Sequence, residues 1–221
     1  MLRAILFDLD GTLADTDPIH FRLWQQLLRS HQIDIDHASY QHQISGRLNA
    51  DIMVDLLPHL SKAEQIQFAE DKEARFRAIA VDELQPLKGL LPLLAWIEQQ
   101  GLKTAVVTNA PRQNAAFMLA TLSLAQRFET VILAGELPKG KPDPMPYQMA
   151  MEQLQVLPEQ TLAFEDSPSG LRSAVAAQIA TVGMSTTHTP ELLYALGASL
   201  VVADFTDERL RQFGLFSPAP L

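Results

Sequence analysis

Ile5-Leu6-Phe7-Asp8-Leu9-Asp10-Gly11-Thr12 is the stretch whose reading decides the fold. An apolar run beginning at Leu2 stops at two aspartates two residues apart, and Gly and Thr follow. The run is too short for a helix and too uniformly apolar for a half-solvated strand. It predicts a strand over Leu2 to Leu9 buried on both faces, as in a parallel sheet. Acidic side chains where such a strand stops lie at its carboxyl edge, where open parallel sheets bind ligands.

Reading onward, Asp17-Pro18 predicts a helix start, with Asp17 as the N-cap and a first-turn proline. That helix runs to about His31 and puts His20 and Trp24, four residues apart, on one face. From Ile33 to about Leu84 the pattern is helical with no strand. Asn49 to Leu57 and Lys62 to Ile79 are the clearest pieces, the second with its charges along one side. Pro86 and Gly89 interrupt the chain, and its texture then changes.

Leu90 to Gln100 reads as an amphipathic helix closed by Gly101. Strands follow at Lys103 to Thr108, Thr130 to Ala134, Thr161 to Glu165, Ile179 to Val182 and Leu200 to Val202. Between them, helices open at Asn109-Ala110-Pro111, near Pro144, and at Ser167-Pro168. Ser217 to Leu221 reads as a frayed end. The alternation predicts an α/β fold with a Rossmann-like, doubly wound parallel sheet core, residues 1–15 and 85–221. Residues 16–84 form an inserted α-helical cap.

Bulk properties narrow the function. The 221 residues allow a sizeable core. A net charge of -9, from 26 acidic and 17 basic residues, argues against nucleic-acid and anionic-membrane partners. With no cysteine there is no disulfide, thiolate metal site or cysteine nucleophile. No stretch approaches the ~20 apolar residues of a membrane span. The first apolar run is too short for a signal peptide and ends in acids. A cytoplasmic monomer is expected, with no nucleic-acid or membrane partner.

Four clusters fall at successive strand ends: Asp8 and Asp10, Thr108 and Asn109, Lys141 in a Gly/Pro loop, and Glu165 with Asp166. Each has an ordinary explanation alone. Asp10-Gly11 is turn chemistry, Thr108-Asn109 and Glu165-Asp166-Ser167-Pro168 are helix caps, and Lys141 is a solvated loop lysine. Parallel strands, however, bring their carboxyl ends to one edge, so the four clusters can converge. Carboxylates gathered in one place repel unless a cation sits among them. Oxygen ligands without His or Cys suit a hard ion, Mg²⁺. Lys141 adds fixed positive charge, Thr108 and Asn109 add neutral donors, and helix N-termini add backbone N–H groups. One phosphoryl-transfer site explains all four clusters together.

These residues resemble the motifs of the haloacid dehalogenase-like superfamily in a form with a helical cap after the first strand. Asp8-Leu9-Asp10-Gly11-Thr12 matches the first motif and Thr108-Asn109 the second. Lys141, in Lys141-Pro142-Asp143-Pro144, matches the third, and Glu165-Asp166-Ser167 the fourth. The resemblance implies that Asp8 is a nucleophile forming an aspartyl phosphate. It implies that Asp10 is general acid and then general base, with its backbone carbonyl on Mg²⁺. Asp8 and Asp166 are the implied side-chain metal ligands, with Glu165 direct or through water; Thr108, Asn109 and Lys141 hold the phosphate. Dehalogenases of the superfamily lack the second aspartate, so Asp10 points to phosphoryl transfer.

Specificity is expected from the insertion. His20, Arg47, Lys72 and Arg75 there, with Arg112 in the core, are candidate substrate contacts, and Trp24 reads as core. His20, Trp24 and a cap lysine resemble the β-phosphoglucomutase and phosphoglycolate phosphatase branch. The chain departs from the mutase pattern, which has an arginine where this sequence has Asn49 and a Ser-Lys-Asn run where it has Ala110-Pro111-Arg112. An Mg²⁺-dependent phosphatase for a small phosphorylated metabolite, a sugar phosphate or phosphoglycolate, is therefore expected. The alternatives are a phosphohexomutase and a phosphate- or metal-sensing binding module. Thr16 and Pro86 to Gly89 are the expected hinges.

Overall fold

The computed structural model describes residues 1–216, so Ser217 to Leu221, expected to fray, lie outside the described residues. Six parallel strands form one sheet: β1 (Ala4–Phe7), β2 (Lys103–Thr108), β3 (Thr130–Leu133), β4 (Thr161–Glu165), β5 (Ala180–Met184) and β6 (Leu200–Val202). Their spatial order is β3-β2-β1-β4-β5-β6. The chain steps outward from β1 to β3, then returns to the other side of β1. That reversal places a topological switch point between β1 and β4, and the crevice there is where such sheets bind ligands. In register, Phe7 aligns with Val106 and with Phe164, which brings Asp8 level with Glu165.

Strand residues alternate between the two faces. Ile5, Phe7, Val106, Leu162 and Phe164 pack with α5 (Leu90–Gln99) and α6 (Arg112–Thr121). Ala4, Leu6, Ala105, Val107 and Ala163 pack with α7 (Met145–Leu154) and α8 (Pro168–Ala176). Both faces are covered, which is why the strands read as unbroken apolar runs. Phe7 stacks on Phe164 at 5.3 Å between centroids, and Phe205 meets both rings edge-on, anchoring the two central strands. A short helix, α9 (Pro190–Ala195), precedes β6 and has no counterpart in the sequence reading.

Between β1 and α5 lie α1 (Asp17–Arg29), α2 (His37–Gln43), α3 (Asn49–Leu56) and α4 (Lys62–Glu83), with no strand among them. They enclose a hydrophobic cluster of their own around Trp24, Leu28, Tyr40, Ile52 and Met53. Ile19, Leu23, Phe76 and Ala80 join the cluster on the sheet instead. Ser61 and Glu64 form a reciprocal capping box that fixes the start of α4. The N-cap of α1 is Thr16 rather than Asp17, and its side chain makes no capping hydrogen bond. The first strand, Ala4–Phe7, is also shorter than the apolar run, although the Asp8 N–H still donates to the Phe164 carbonyl at 3.0 Å. Among the described residues no helix is long and apolar enough to cross a membrane.

Candidate active site

The predicted clusters meet at the carboxyl edge of the sheet. Asp8 directly follows β1, Thr108 ends β2, Glu165 ends β4, and Lys141 reaches in from the loop before α7. The Lys141 ammonium donates to Asp8 Oδ1 at 2.7 Å, to Glu165 Oε1 at 2.5 Å and to the Val107 carbonyl at 2.7 Å. Tyr147 donates its hydroxyl to the same Glu165 oxygen at 2.6 Å. The carboxylates of Asp8, Glu165 and Asp166 offer oxygens within 4.8 Å of one another, and all three residues are buried.

Three carboxylates against one ammonium leave about two negative charges uncompensated in a desolvated pocket. Burial first, then the charges of Glu165 and Asp10, push the Asp8 carboxyl up to about 8 against the pull of Lys141. Burial together with Asp8 and Glu165 likewise raises Asp166. Burial works against the Lys141 ammonium, but Asp8 and Glu165 outweigh it and hold its proton more firmly than usual.

A divalent cation fits this donor set. It cancels the excess charge, and the ligands are hard oxygens. Glu165 Oε2 is buried without a hydrogen-bond partner, as expected of an oxygen reserved for something else. Gly11 keeps the space clear. Its φ is +70°, and a Cβ there would lie 2.2 Å from Asp166 Oδ2. Thr187 donates to that oxygen at 2.7 Å and holds the carboxylate in place.

Asp10 sits in different surroundings. Its side chain is not among the three converging carboxylates. Oδ1 accepts from the Thr16 hydroxyl at 2.7 Å and meets His20 Nε2 at 3.4 Å. Burial acts to raise its pKa, but His20, Thr16 and Lys72 together bring it below the ordinary carboxylate value. His20 is itself held flat against Phe76, with centroids 4.1 Å apart and planes 4° apart. The two aspartates are therefore unequal: one neighbours the ammonium and the acidic cluster, the other a hydroxyl and an imidazole.

Asp8, Asp10, His20, Arg47, Lys72, Thr108, Asn109, Lys141 and Asp166 line one cavity between the sheet edge and the helical insertion. Glu165 is buried beneath it. Arg47 is at the rim, bonded to Asp55 at 2.6 Å and to the Gln43 carbonyl. Arg112 points elsewhere. It is 71% exposed, forms a two-pronged pair with Glu136, and borders a separate depression. Arg75 is exposed. Lys72 is buried, paired with Glu73 at 2.7 Å, and lies over the Trp24 ring at 5.4 Å.

Sequence reasoning missed several lining residues. Glu73, Asn114, Asp17 and Tyr40 all face the cavity. Glu73 could have been suspected, because at i, i+3 and i+7 it shares a stripe with Phe76 and Ala80, the buried face of α4. Asp17 was obscured by its resemblance to a cap; its carboxylate instead accepts from the Tyr40 hydroxyl at 2.8 Å.

The arrangement has close relatives. The chain is 31% identical over 214 residues to validoxylamine A 7'-phosphate phosphatase from Streptomyces hygroscopicus subsp. limoneus, covering 97% of this chain and 99% of the relative. It is 28% identical over 183 residues to a phosphorylated carbohydrates phosphatase from Thermotoga maritima, covering 80% and 82%. The crystal structure of a β-phosphoglucomutase from Clostridium difficile superposes with a TM-score of 0.83 at 25% identity, covering 96% of both chains. The family model for haloacid dehalogenase-like hydrolases matches residues 5–184, a span that holds every strand end lining the cavity. Fold, strand-end chemistry and sequence agree: this chain belongs to the haloacid dehalogenase-like hydrolase family.

Proposed function

We propose that the chain is an Mg²⁺-dependent phosphatase that hydrolyses a small phosphorylated metabolite of the sugar-phosphate type through an aspartyl phosphate on Asp8. The observation that carries this reading is the inequality of the two aspartates. Nucleophilic displacement at phosphorus needs one carboxylate beside positive charge and a second free to exchange protons. Asp8, beside Lys141, suits the first role; Asp10, held by Thr16 and His20, suits the second. The phosphatases among its relatives support the same reading.

In this mechanism the negative charge of the bound phosphate favours the protonated form of Asp10; Asp8 attacks phosphorus and Asp10 gives that proton to the departing alkoxide. Asp10 then takes a proton from the water that cleaves the aspartyl phosphate, and ends the cycle protonated again. Lys141 balances charge on the Asp8 side throughout. Thr108 and Asn109 hold the phosphoryl oxygens. Asp8, Glu165, Asp166 and the Asp10 backbone carbonyl would hold Mg²⁺. When bound, Mg²⁺ supplies the positive charge that lets a carboxylate approach a phosphate dianion. Residues 16–84 serve as a cap over the site, keeping bulk water from the acyl phosphate.

The direct test is release of inorganic phosphate from p-nitrophenyl phosphate and a panel of sugar phosphates. Turnover should vanish with chelator and return with Mg²⁺. Glucose 1-phosphate supplied with catalytic glucose 1,6-bisphosphate should yield inorganic phosphate. Clean conversion to glucose 6-phosphate would replace the phosphatase by a mutase. Mg²⁺-dependent phosphate binding with no turnover across the panel would leave a binding module.

A further inference from the structure

On the insertion side of the cavity, the side chain of Glu73 is held by three donors from three elements. Oε1 accepts from Lys72 and from Asn49 Nδ2, each at 2.7 Å, and Oε2 accepts from Asn114 Nδ2 at 2.5 Å. Asn49 lies on α3, Glu73 on α4 and Asn114 on α6, so the carboxylate joins the insertion to the core. Arg77 donates to Asn114 Oδ1 at 2.6 Å and fixes the amide with its NH₂ toward Glu73. Burial disfavours the charged form, but Lys72, His20 and the Asn49 amide outweigh it, and Glu73 titrates below its ordinary value. A carboxylate is thus built into the wall facing the bound substrate.

Among the described residues that line the cavity, the same bonds leave a second anion without an unpaired cation. Lys72 is paired with Glu73, Arg47 with Asp55, His20 with Asp10, and Lys141 with Asp8 and Glu165. The Asn49 and Asn114 side chains aim donors at Glu73. A carboxylate has about four acceptor positions, so roughly one remains on Glu73 after its three donors. What this wall offers a ligand is the remaining acceptor position of Glu73 beside spare N–H donors of Lys72, a poorly solvated pair with no net positive charge to draw in a second anion. Hydroxyl or ammonium donors fit that acceptor, while a carboxylate or phosphate is repelled by it where screening is weak.

We propose that Glu73 is a specificity-determining residue that selects monophosphates whose far end is a neutral or aminated polyol, and excludes sugar bisphosphates and phosphorylated acids. The proposal rests on the reading of the cavity as a phosphomonoester site. It narrows the substrate class to hydroxyl-bearing or amino-sugar monophosphates and removes phosphoglycolate.

The test uses size-matched partners: glucose 6-phosphate, glucosamine 6-phosphate and 6-phosphogluconate, then fructose 1-phosphate and fructose 1,6-bisphosphate. Dissociation constants are measured by calorimetry with Mg²⁺ on Asp8→Asn protein, which needs no turnover, and kcat/KM on the wild type. The neutral and aminated compounds should bind about tenfold or more tighter than their acidic or bisphosphate partners. In Asp8→Asn/Glu73→Gln protein the ratio should shrink to about threefold or less, mainly because the acidic partners bind better. A residue that merely positions Lys72 would weaken both partners and leave the ratio alone. Parity in Asp8→Asn protein, an unchanged ratio in the folded double variant, or no binding of any compound overturns the proposal. If Glu73→Gln prevents folding, Asp8→Asn/Glu73→Asp, which keeps the charge, should keep the ratio while Asp8→Asn/Glu73→Ala should shrink it, and a ratio unchanged in both overturns the proposal. Absence of p-nitrophenyl phosphate turnover would sink the phosphatase reading alone, since the binding ratios do not depend on hydrolysis.

Discussion

Asp8 and Asp10 are two residues apart in sequence and differ in almost everything their environments impose. Asp8 belongs to a buried group with more negative than positive charge, so its carboxylate is costly to the fold and useful to the chemistry. Replacing it with asparagine removes the nucleophile and one of the repelling charges, while Lys141 keeps Glu165 as partner. Asp8→Asn should lower kcat by about a thousandfold or more without lowering the thermal midpoint in metal-free buffer. Phosphate release and differential scanning calorimetry on one preparation check both halves, and retained turnover would remove Asp8 as nucleophile. Asp10 depends on His20 for its low pKa, through a hydrogen bond and the imidazole's charge. His20→Ala should move the Asp10 carboxyl upward from its depressed value, as read by carbon NMR titration. An unmoved titration would mean that Thr16 and Lys72 suffice.

At the scale of elements, the chain shows why some of the site was legible and some was not. The strand-end clusters could be read because each is a break in local pattern: an apolar run that stops at an acid or a hydroxyl. Parallel order then does the assembling, since β1, β2 and β4 are neighbours and end level. Glu73 and Asn114 could not be read that way. Their bond spans 41 residues and depends on α4 docking beside α6, a contact that no local pattern encodes. The Thr16-Asp17-Pro18 start misled for a different reason. Both Thr16 and Asp17 have capping chemistry, and only the fold shows that Thr16 uses its hydroxyl on Asp10. The loop between α2 and α3 carries a further element-scale consequence. The Gly46 carbonyl accepts from Asn109 Nδ2 at 3.0 Å and from Ser169 Oγ, so the insertion rests on the sheet edge through bare backbone. Gly46 has a φ of +71°, and a Cβ there would stand 2.5 Å from the Ser167 Cβ. Gly46→Val should keep this loop off the sheet edge and raise KM for sugar phosphates by about tenfold or more. The melting midpoint should fall by only a few degrees, about 1 kcal/mol of backbone strain. Steady-state kinetics beside a thermal melt would separate the two effects, and an unchanged KM would show that closure does not need this contact.

For the whole molecule, the seam between insertion and core decides how the protein responds to acid. Two strand-like segments cross it side by side: Ala14 bridges Pro86, and Leu87 N–H donates to the Leu13 carbonyl at 2.9 Å. Further along the seam, Gln41 on α2 donates to the Thr187 carbonyl, and His188 is the next residue. His188 is buried, and its Nε2 has no hydrogen-bond partner. Burial first, and then the charge of His37 at the start of α2, bring its pKa down from 6.5 to about 4. The sign follows from proton counting. Between those two values the unfolded chain binds a proton at this position that the folded chain refuses. Stability is therefore unaffected by His188 above the unfolded pKa, and it drains away as the pH falls toward the folded one. The same reasoning applies to lifting α2 alone, because that hydrates His188 and separates it from His37 without unfolding the sheet. His188→Gln keeps a polar side chain of similar size and removes the titration. Urea midpoints taken at pH ~7.5 and ~4.5 should differ less in His188→Gln than in the wild type. Hydrogen exchange at acid pH should speed up first in α2 and in residues 185–189, ahead of the central strands. Equal pH dependence in the two proteins would remove His188 from the account and leave acid sensitivity to carboxylates whose folded pKa is lowered, such as Asp10 and Glu73.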